Sequence, residues 1–400
     1  MDTIKTKIEH LAKKHTPAMI ALRRELHQNP ETALEEFQTQ KTIAAKLKEA
    51  GYKVNTRIWK TAVVGLLEGK RKGKTIGIRS DMDALPVTEN TGYSFASKNK
   101  GKMHACGHDV HMSLVWGAAK ILSELRHELR GNIKFIYQPS EEITPGGAKF
   151  LIEKGVLKSP KVDMVFGLHV DPTLPVGKIG LYDGAMMAEA DDFDIEIIGK
   201  PGHAARPHET VDPIMVAANV VTALQNISSR QVDPLNPVVV TIGAIHGGTT
   251  FNVIPERVAI KGTARTLEKK LTRDIPNMIE KIVAGVCKTY GAKYQLDYRK
   301  GYPVTVNDKR VNDIYRAAAK ELYGKRSIVE LTEPVMGGED FSYFTQAVPA
   351  AMMRLGVGNP KIGANKPWHS PDFKIDEKAI PFGAALLAMA VWQVLMQARE

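Results

Sequence analysis

Short β-branched apolar runs alternate with segments of helical periodicity through the first half of the chain. No other feature of the sequence limits the fold as much. Residues 52–58, 62–67 and 75–78 are bounded by glycines and basic turns and read as strands. A helix is expected over 108–128, a strand over 132–138, a helix over 147–154 and a strand over 162–168. Two helices precede them, over 2–28 and 35–50, the first stopped by Asn29-Pro30 and the second closed by Gly51 as C-cap. Strands alternating with helices predict an α/β fold: a mostly parallel sheet flanked by helices.

Near residue 190 the pattern changes. Residues 192–198 alternate like a strand with one exposed face. A helix over 213–227, strands over 238–245 and 258–266, a helix over 267–289 and a strand over 294–298 follow. This predicts an α+β insert with antiparallel pairing and one open sheet face. From about Pro303 the βα pattern resumes through a C-terminal helix. The expected organisation is one α/β domain in two parts, residues 1–189 and 303–400, around an inserted domain at 190–302.

At 400 residues, 43% hydrophobic and 25% charged, the chain is long enough for two or three ordinary globular domains. The net charge of +11 raises the question of nucleic acid. Its lysines, such as Lys46, Lys48, Lys269 and Lys270, are spread along helices rather than clustered with aromatics, so a solvated basic surface is the better reading. Cys106 and Cys287 provide no disulfide framework and suit a reducing compartment. No charged-apolar-small leader opens the chain. No apolar run approaches the ~20 residues of a membrane span; the longest, near 384–396, is alanine-rich and interrupted by Gln393. A cytoplasmic protein with neither membrane nor nucleic-acid partners is expected.

In open parallel sheets, ligands bind beyond the carboxyl ends of the strands. Asp81 and Asp83 follow the strand through Ile78, Glu141 and Glu142 follow the strand through Tyr137, and His169 is read as ending the strand through Phe166. Beside these stands Met103-His104-Ala105-Cys106-Gly107-His108-Asp109-Val110-His111, with three histidines, a thiol and a carboxylate in nine residues. A single such residue reads as a helix start, with Asp109 or His108 capping and Cys106 a small buried side chain. The density of ligand types points instead to a transition metal.

The candidate ligands are Cys106, His108, Glu142, His169 and His369. Thiolate, imidazole and carboxylate together suit zinc, manganese or cobalt rather than calcium or magnesium. Five ligands exceed the four of a closed structural zinc site and fit two metals sharing a bridging ligand and a water. Adjacent side chains at a strand end diverge, so of Glu141 and Glu142 one can ligate while the other serves as general base. Asp83 either caps a turn or fixes the orientation of an imidazole ligand. His369, in Pro367-Trp368-His369-Ser370-Pro371, would read as a surface loop if it stood alone. In the insert, His203 could donate to a developing oxyanion, and Asn252 and Arg265 could hold a substrate carboxylate.

The motifs Arg79-Ser80-Asp81-Met82-Asp83-Ala84-Leu85-Pro86, His104-Ala105-Cys106-Gly107-His108-Asp109, Gln138-Pro139-Ser140-Glu141-Glu142, Gly167-Leu168-His169 and Gly337-Gly338-Glu339-Asp340-Phe341 are similar, in order, to signatures of one family. The chain resembles the aminoacylase/carboxypeptidase metallohydrolases, in their amidohydrolase branch. That branch holds hippurate hydrolases, indole-acetyl-amino-acid hydrolases, N-acetyl-diaminopimelate deacetylases and some carboxypeptidases. The resemblance covers nearly the whole chain, and the cysteine motif is specific to this branch. It implies that Cys106, His108, Glu142, His169 and His369 bind two divalent ions, that Glu141 is the general base and that Asp83 orients the site. Asp81 stands where many relatives carry a histidine. Asp109 is left a capping or supporting role, and His104 and His111 supporting ones. The insert would be a lid that mediates homodimerisation, with His203 and Asn252 acting in the same subunit or its neighbour. The implied reaction is hydrolysis of the amide bond of N-acyl amino acids. Alternatives are a carboxypeptidase or dipeptidase of the same family, or a non-catalytic metal-binding protein.

Overall fold

The computed structural model describes residues 3–396. Asp2, where the first helix was expected to start, and residues 1 and 397–400 of the expected α/β domain lie outside the described residues. The chain divides into two compact units. One comprises Met1–Gly184, Val306–Glu333 and Asp340–Glu400, the other Ala185–Thr305 and Pro334–Glu339.

The first unit is built on an eight-stranded sheet in the order Lys53–Asn55, Val63–Glu68, Arg130–Gln138, Arg71–Asp81, Met164–Pro175, Ala350–Gly358, Ile179–Leu181, Ile328–Glu330. The four strands in the middle of this order, from Arg130–Gln138 to Ala350–Gly358, run parallel. Antiparallel pairs lie to either side. The parallel strands are near-continuous apolar runs because both faces are covered: Phe135, Phe166, Ile76, Ile78, Met353 and Leu355 are all buried.

One expectation needs correcting. His169 does not end its strand, which runs on to Pro175. Residues 350–358 pair with it in parallel past His169, with Arg354 opposite His169, Leu355 opposite Val170 and Gly358 opposite Pro175. Partner pairing, invisible in the local sequence, sets the strand end.

Helices Ile4–Gln28, His108–Glu124, Lys309–Tyr323 and Ala379–Met396 pack together in this unit. Thr3 caps the first by accepting the Thr6 N–H. The Ala379–Met396 helix corrects a second expectation. Its 18 residues are apolar enough, by length and composition, to cross a membrane, and 78% of them are buried inside the protein. A helix apolar all round belongs in a core. The helix begins ahead of the run at 384–396, because proline is tolerated in a first helical turn and Pro381 stands there.

The second unit is a four-stranded antiparallel sheet in the order Val238–Gly247, Arg257–Thr266, Glu189–Ile198, Lys293–Tyr302. Phe193, Ile195 and Ile197 alternate with more exposed residues along the Glu189–Ile198 strand. Their buried face joins Val216 and Val220 of helix Pro213–Leu224 and Ile275 and Ile279 of helix Leu271–Tyr290 in one core. A two-stranded ribbon pairs Gly202–His203 with Val253–Ile254.

Candidate metal centre

The His108–Glu124 helix starts from Gly107, whose φ of 85° lies in the left-handed region. A Cβ there would also stand 2.6 Å from Val170 Cγ2, so only glycine makes this turn. The turn puts Cys106 just before the helix and His108 on its first residue. Both side chains enter one buried cluster at the carboxyl end of the parallel strands. Asp109 does not cap the helix. It lies in the first turn, where its Oδ2 accepts from Arg23 Nε at 2.8 Å and pairs with His27 Nδ1 at 2.9 Å.

The five candidate ligands converge. Cys106, His108 and His169 form one group with mutual ligand-atom distances within 4.8 Å; Cys106, Glu142 and His369 form a second, and His108, Glu141 and Glu142 a third. Cys106 Sγ is 3.4 Å from His169 Nε2. Glu142 Oε1 is 3.8 Å from His108 Nε2 and 3.5 Å from His369 Nε2. His369 sits on a loop with φ 64°, tied by its N–H to the Ala105 carbonyl at 2.9 Å.

Hydrogen bonding decides which imidazole nitrogens are available. His108 Nδ1 donates to the Asp83 carbonyl and His169 Nδ1 to the Val170 carbonyl, both at 2.8 Å, which leaves each Nε2 as the metal-facing acceptor. His108 Nε2 and Glu142 Oε1 are buried and have no hydrogen-bond partner. Such atoms are costly unless something polar fills the space between them. His111 is excluded as a ligand although it lies near Asp81 and His108. Its Nδ1 donates to Asp81 Oδ1 at 2.7 Å and its Nε2 accepts the Val170 N–H at 2.9 Å. His104, fully buried, is pushed down to about 4 by burial.

The charge balance points the same way. Burial works against a charge on His108, yet Asp81, Asp83 and Glu142 outweigh it and hold the imidazole up at about 10, so this surrounding favours a positive charge at Nε2, a proton or the cation that would displace it. Burial, with Glu142, Glu141 and Asp81 close by, pushes the Cys106 thiol well above its ordinary value. A thiolate here needs a cation beside it. Inward-facing nitrogen, oxygen and sulfur ligand atoms in an anionic surrounding fit divalent transition metals.

Asp83 combines the two roles considered for it. The ring of His108 is fixed by the Asp83 carbonyl, while the carboxylate accepts the N–H groups of Glu141 and Glu142, each at 3.0 Å. The residues foreseen in the insert all lie in the second unit. His203 and Asn252 are exposed neighbours on the ribbon, where the Ala204 N–H donates to the Asn252 carbonyl at 3.1 Å. Arg265 is half-buried on the four-stranded sheet, paired with Ala190 and Val239.

The sequence profile of peptidase family M20/M25/M40 matches residues 77–393. The chain belongs to this family. It is a metal-dependent hydrolase of the amidohydrolase and carboxypeptidase type, and the family hydrolyses N-acyl amino acids or peptides. It is 40% identical to thermostable carboxypeptidase 2 of Saccharolobus solfataricus over 395 residues, 97% of this chain and 99% of that one. It is 44% identical to an N-acyl-L-amino acid amidohydrolase of Geobacillus stearothermophilus over 303 residues, 76% of this chain and 81% of that one. A solved dinuclear metal-binding peptidase of the M20 family from Bacillus subtilis superposes with a TM-score of 0.84 at 34% identity, covering 96% of this chain and all of that one.

Behind the cluster of this M20 member lies a network that the sequence reading did not assign. Arg79 is fully buried. It donates to Gln138 Oε1 at 2.9 Å, Asp81 Oδ2 at 2.7 Å and Asp340 Oδ1 at 2.8 Å. Asp340 Oδ2 also accepts from Gln138 Nε2 at 2.6 Å and the Ala148 N–H at 3.0 Å. A Cβ on Gly146 would stand 2.3 Å from that oxygen, so the loop closes tightly over the carboxylate. All four side chains sit inside the quoted motifs, but spacing offered no sign that they meet. Replacing Asp340 with Ala strips acceptors from a buried guanidinium. D340A is expected to cost about 3–5 kcal/mol of unfolding free energy, read as a lower denaturant midpoint by urea titration. An unchanged midpoint would show that Arg79 is balanced by other groups.

Proposed function

We propose that the protein hydrolyses the amide bond of N-acyl amino acids, releasing a carboxylic acid and an amino acid, with two divalent ions held by Cys106, His108, Glu142, His169 and His369. The observation that supports this most is that the buried atoms His108 Nε2 and Glu142 Oε1 face each other at 3.8 Å and neither makes a hydrogen bond. Zinc and manganese both suit the ligand set, and cobalt would be accommodated. When bound, such ions polarise a carbonyl and acidify water.

The protein's own groups then carry the proton. Glu141 takes a proton from the attacking water as its oxygen bonds to the amide carbon. It returns that proton to the nitrogen as the carbon–nitrogen bond breaks. Asp83 holds the Glu141 backbone for this task. His203 suits an oxyanion donor because its Nδ1 accepts the Ala205 N–H at 3.0 Å, which places the ring proton on Nε2. Asn252 and Arg265 are proposed to bind the substrate carboxylate. A cytoplasmic location is supported by thiol chemistry, since Cys106 and Cys287 are unpaired and a thiolate ligand persists in a reducing compartment.

Replacing Glu141 with Ala should lower turnover of an N-acyl amino acid by about 10²–10⁴-fold while leaving the bound metal, counted by elemental analysis, unchanged. Near-normal turnover would remove Glu141 from the role. Arg265→Ala should raise KM for substrates with a free carboxylate and leave the matching carboxamides unaffected. An equal effect on both would show that Arg265 is not the carboxylate clamp.

We further propose that the protein is a homodimer joined through the insert. The Val238–Gly247 strand is at a sheet edge, and Ile214, Met215, Ile245, Phe251 and Val253 are exposed in the same unit. A hydrophobic edge strand left open invites pairing with another copy. Ile245→Lys should shift the mass measured by light scattering from two chains to one, and a wild-type monomer would refute the proposal.

A further inference from the structure

Glu36 is fully buried and immediately precedes the Phe37–Glu49 helix, yet its carboxylate makes no capping bond to that helix. It is directed instead at the loop that presents Glu141. Its Oε1 accepts the Ser140 N–H at 3.0 Å and its Oε2 accepts the Thr61 hydroxyl at 2.6 Å. Ser140 has a φ of 56°, a left-handed conformation unfavourable for a serine and maintained only where the surroundings hold it. Its carbonyl is held as well, accepting the Gly147 N–H at 2.9 Å.

Three consecutive amides, those of Ser140, Glu141 and Glu142, thus end on two buried carboxylates, Glu36 and Asp83. The anchor behind Glu36 is firm. Thr61 is buried, and Trp59, two residues before it, stacks on Phe150 at 4.9 Å and 15°. Phe150 belongs to the Gly147–Glu153 helix that follows the loop. Burial pushes the Glu36 carboxyl up to about 7. A group kept in so costly a place without a structural cap has another use.

Resting on the hydrolytic reading above, we propose that Glu36 is a positioning residue. Through the Ser140 N–H it sets the backbone that aims Glu141 at the attacking water. Charged or neutral, the carboxyl keeps Oε1 as acceptor for Ser140; when neutral, its proton lies on Oε2 toward Thr61. Glutamine reproduces that arrangement, with its oxygen toward Ser140 and its NH₂ toward Thr61. Aspartate keeps the charge but is one methylene too short to reach.

The test compares Glu36→Gln, Glu36→Asp and Glu36→Ala with wild type and E141A in the metal-reconstituted full chain. It records kcat, KM, bound metal and melting temperature. E36A and E36D are expected to lose about tenfold or more in kcat, a size typical of a misplaced catalytic group, with KM and metal content nearly unchanged. E36Q is expected to keep most of the wild-type kcat. If E36A does not fold, the E36D and E36Q pair carries the same comparison. The proposal is overturned if E36D turns over like wild type, if E36Q is as impaired as E36D, or if lost activity follows lost metal. Should E141A remain active, the hydrolytic reading falls and this inference falls with it. Should E141A be inactive while all Glu36 variants are normal, only this inference falls.

Discussion

The site depends on one side chain doing two things at once. Asp83 follows the Arg71–Asp81 strand; its carbonyl takes the His108 ring proton and its carboxylate takes the amides of Glu141 and Glu142, which follow the neighbouring parallel strand. Two strand ends and one helix start are thereby tied together within a few ångströms. Because consecutive amides are held side by side, both glutamate carboxylates are presented to His108, with ligand atoms within 4.8 Å of one another. One is left with an oxygen facing His108 and His369, the other stands beside them. The same carboxylate that shapes the loop adds to the negative field that raises His108 and calls for cations. Position and electrostatics come from a single residue.

Around this knot the buried charges are arranged in layers that support it. Arg79 joins Asp81 to Asp340, and Asp340 reaches the Ala148 N–H at the far end of the loop. Asp81 in turn orients His111, which accepts the Val170 N–H beside His169. Burial opposes ionisation of Asp81, but His108, His111 and Arg79 hold it well below the usual carboxylate range. Removing one partner from such a network leaves a desolvated charge behind, so its members stabilise the site only as a set.

The parallel sheet was legible because its strands are apolar on both faces and alternate with helical repeats, and the insert because Phe193, Ile195 and Ile197 switch to a period of two. The convergence of Cys106, Glu142 and His169 was legible because ligand types gathered near one end of the sheet and the family motifs carried them in order; His369 lies outside those motifs, in a loop that by itself reads as surface. What stayed hidden depends on partners distant in sequence. Arg79 meets Asp340 across 261 residues. The strand bearing His169 continues because residues 350–358 lie beside it. Glu36, between Glu35 and Phe37, reads as a solvated helix start, and only the fold turns it toward Ser140. Asp83 could be picked out by type and place, but not which of its oxygens faces His108.

Cys106, His108, Glu142, His169 and His369 are proposed to hold two metal ions together. Anomalous diffraction at the zinc edge, from crystals of the zinc-loaded protein, tests this directly. Two peaks are expected among these five side chains, with His111 Nε2 still accepting the Val170 N–H and outside coordination. A single peak bound by four of them, peaks elsewhere, or His111 as a ligand would contradict the proposal.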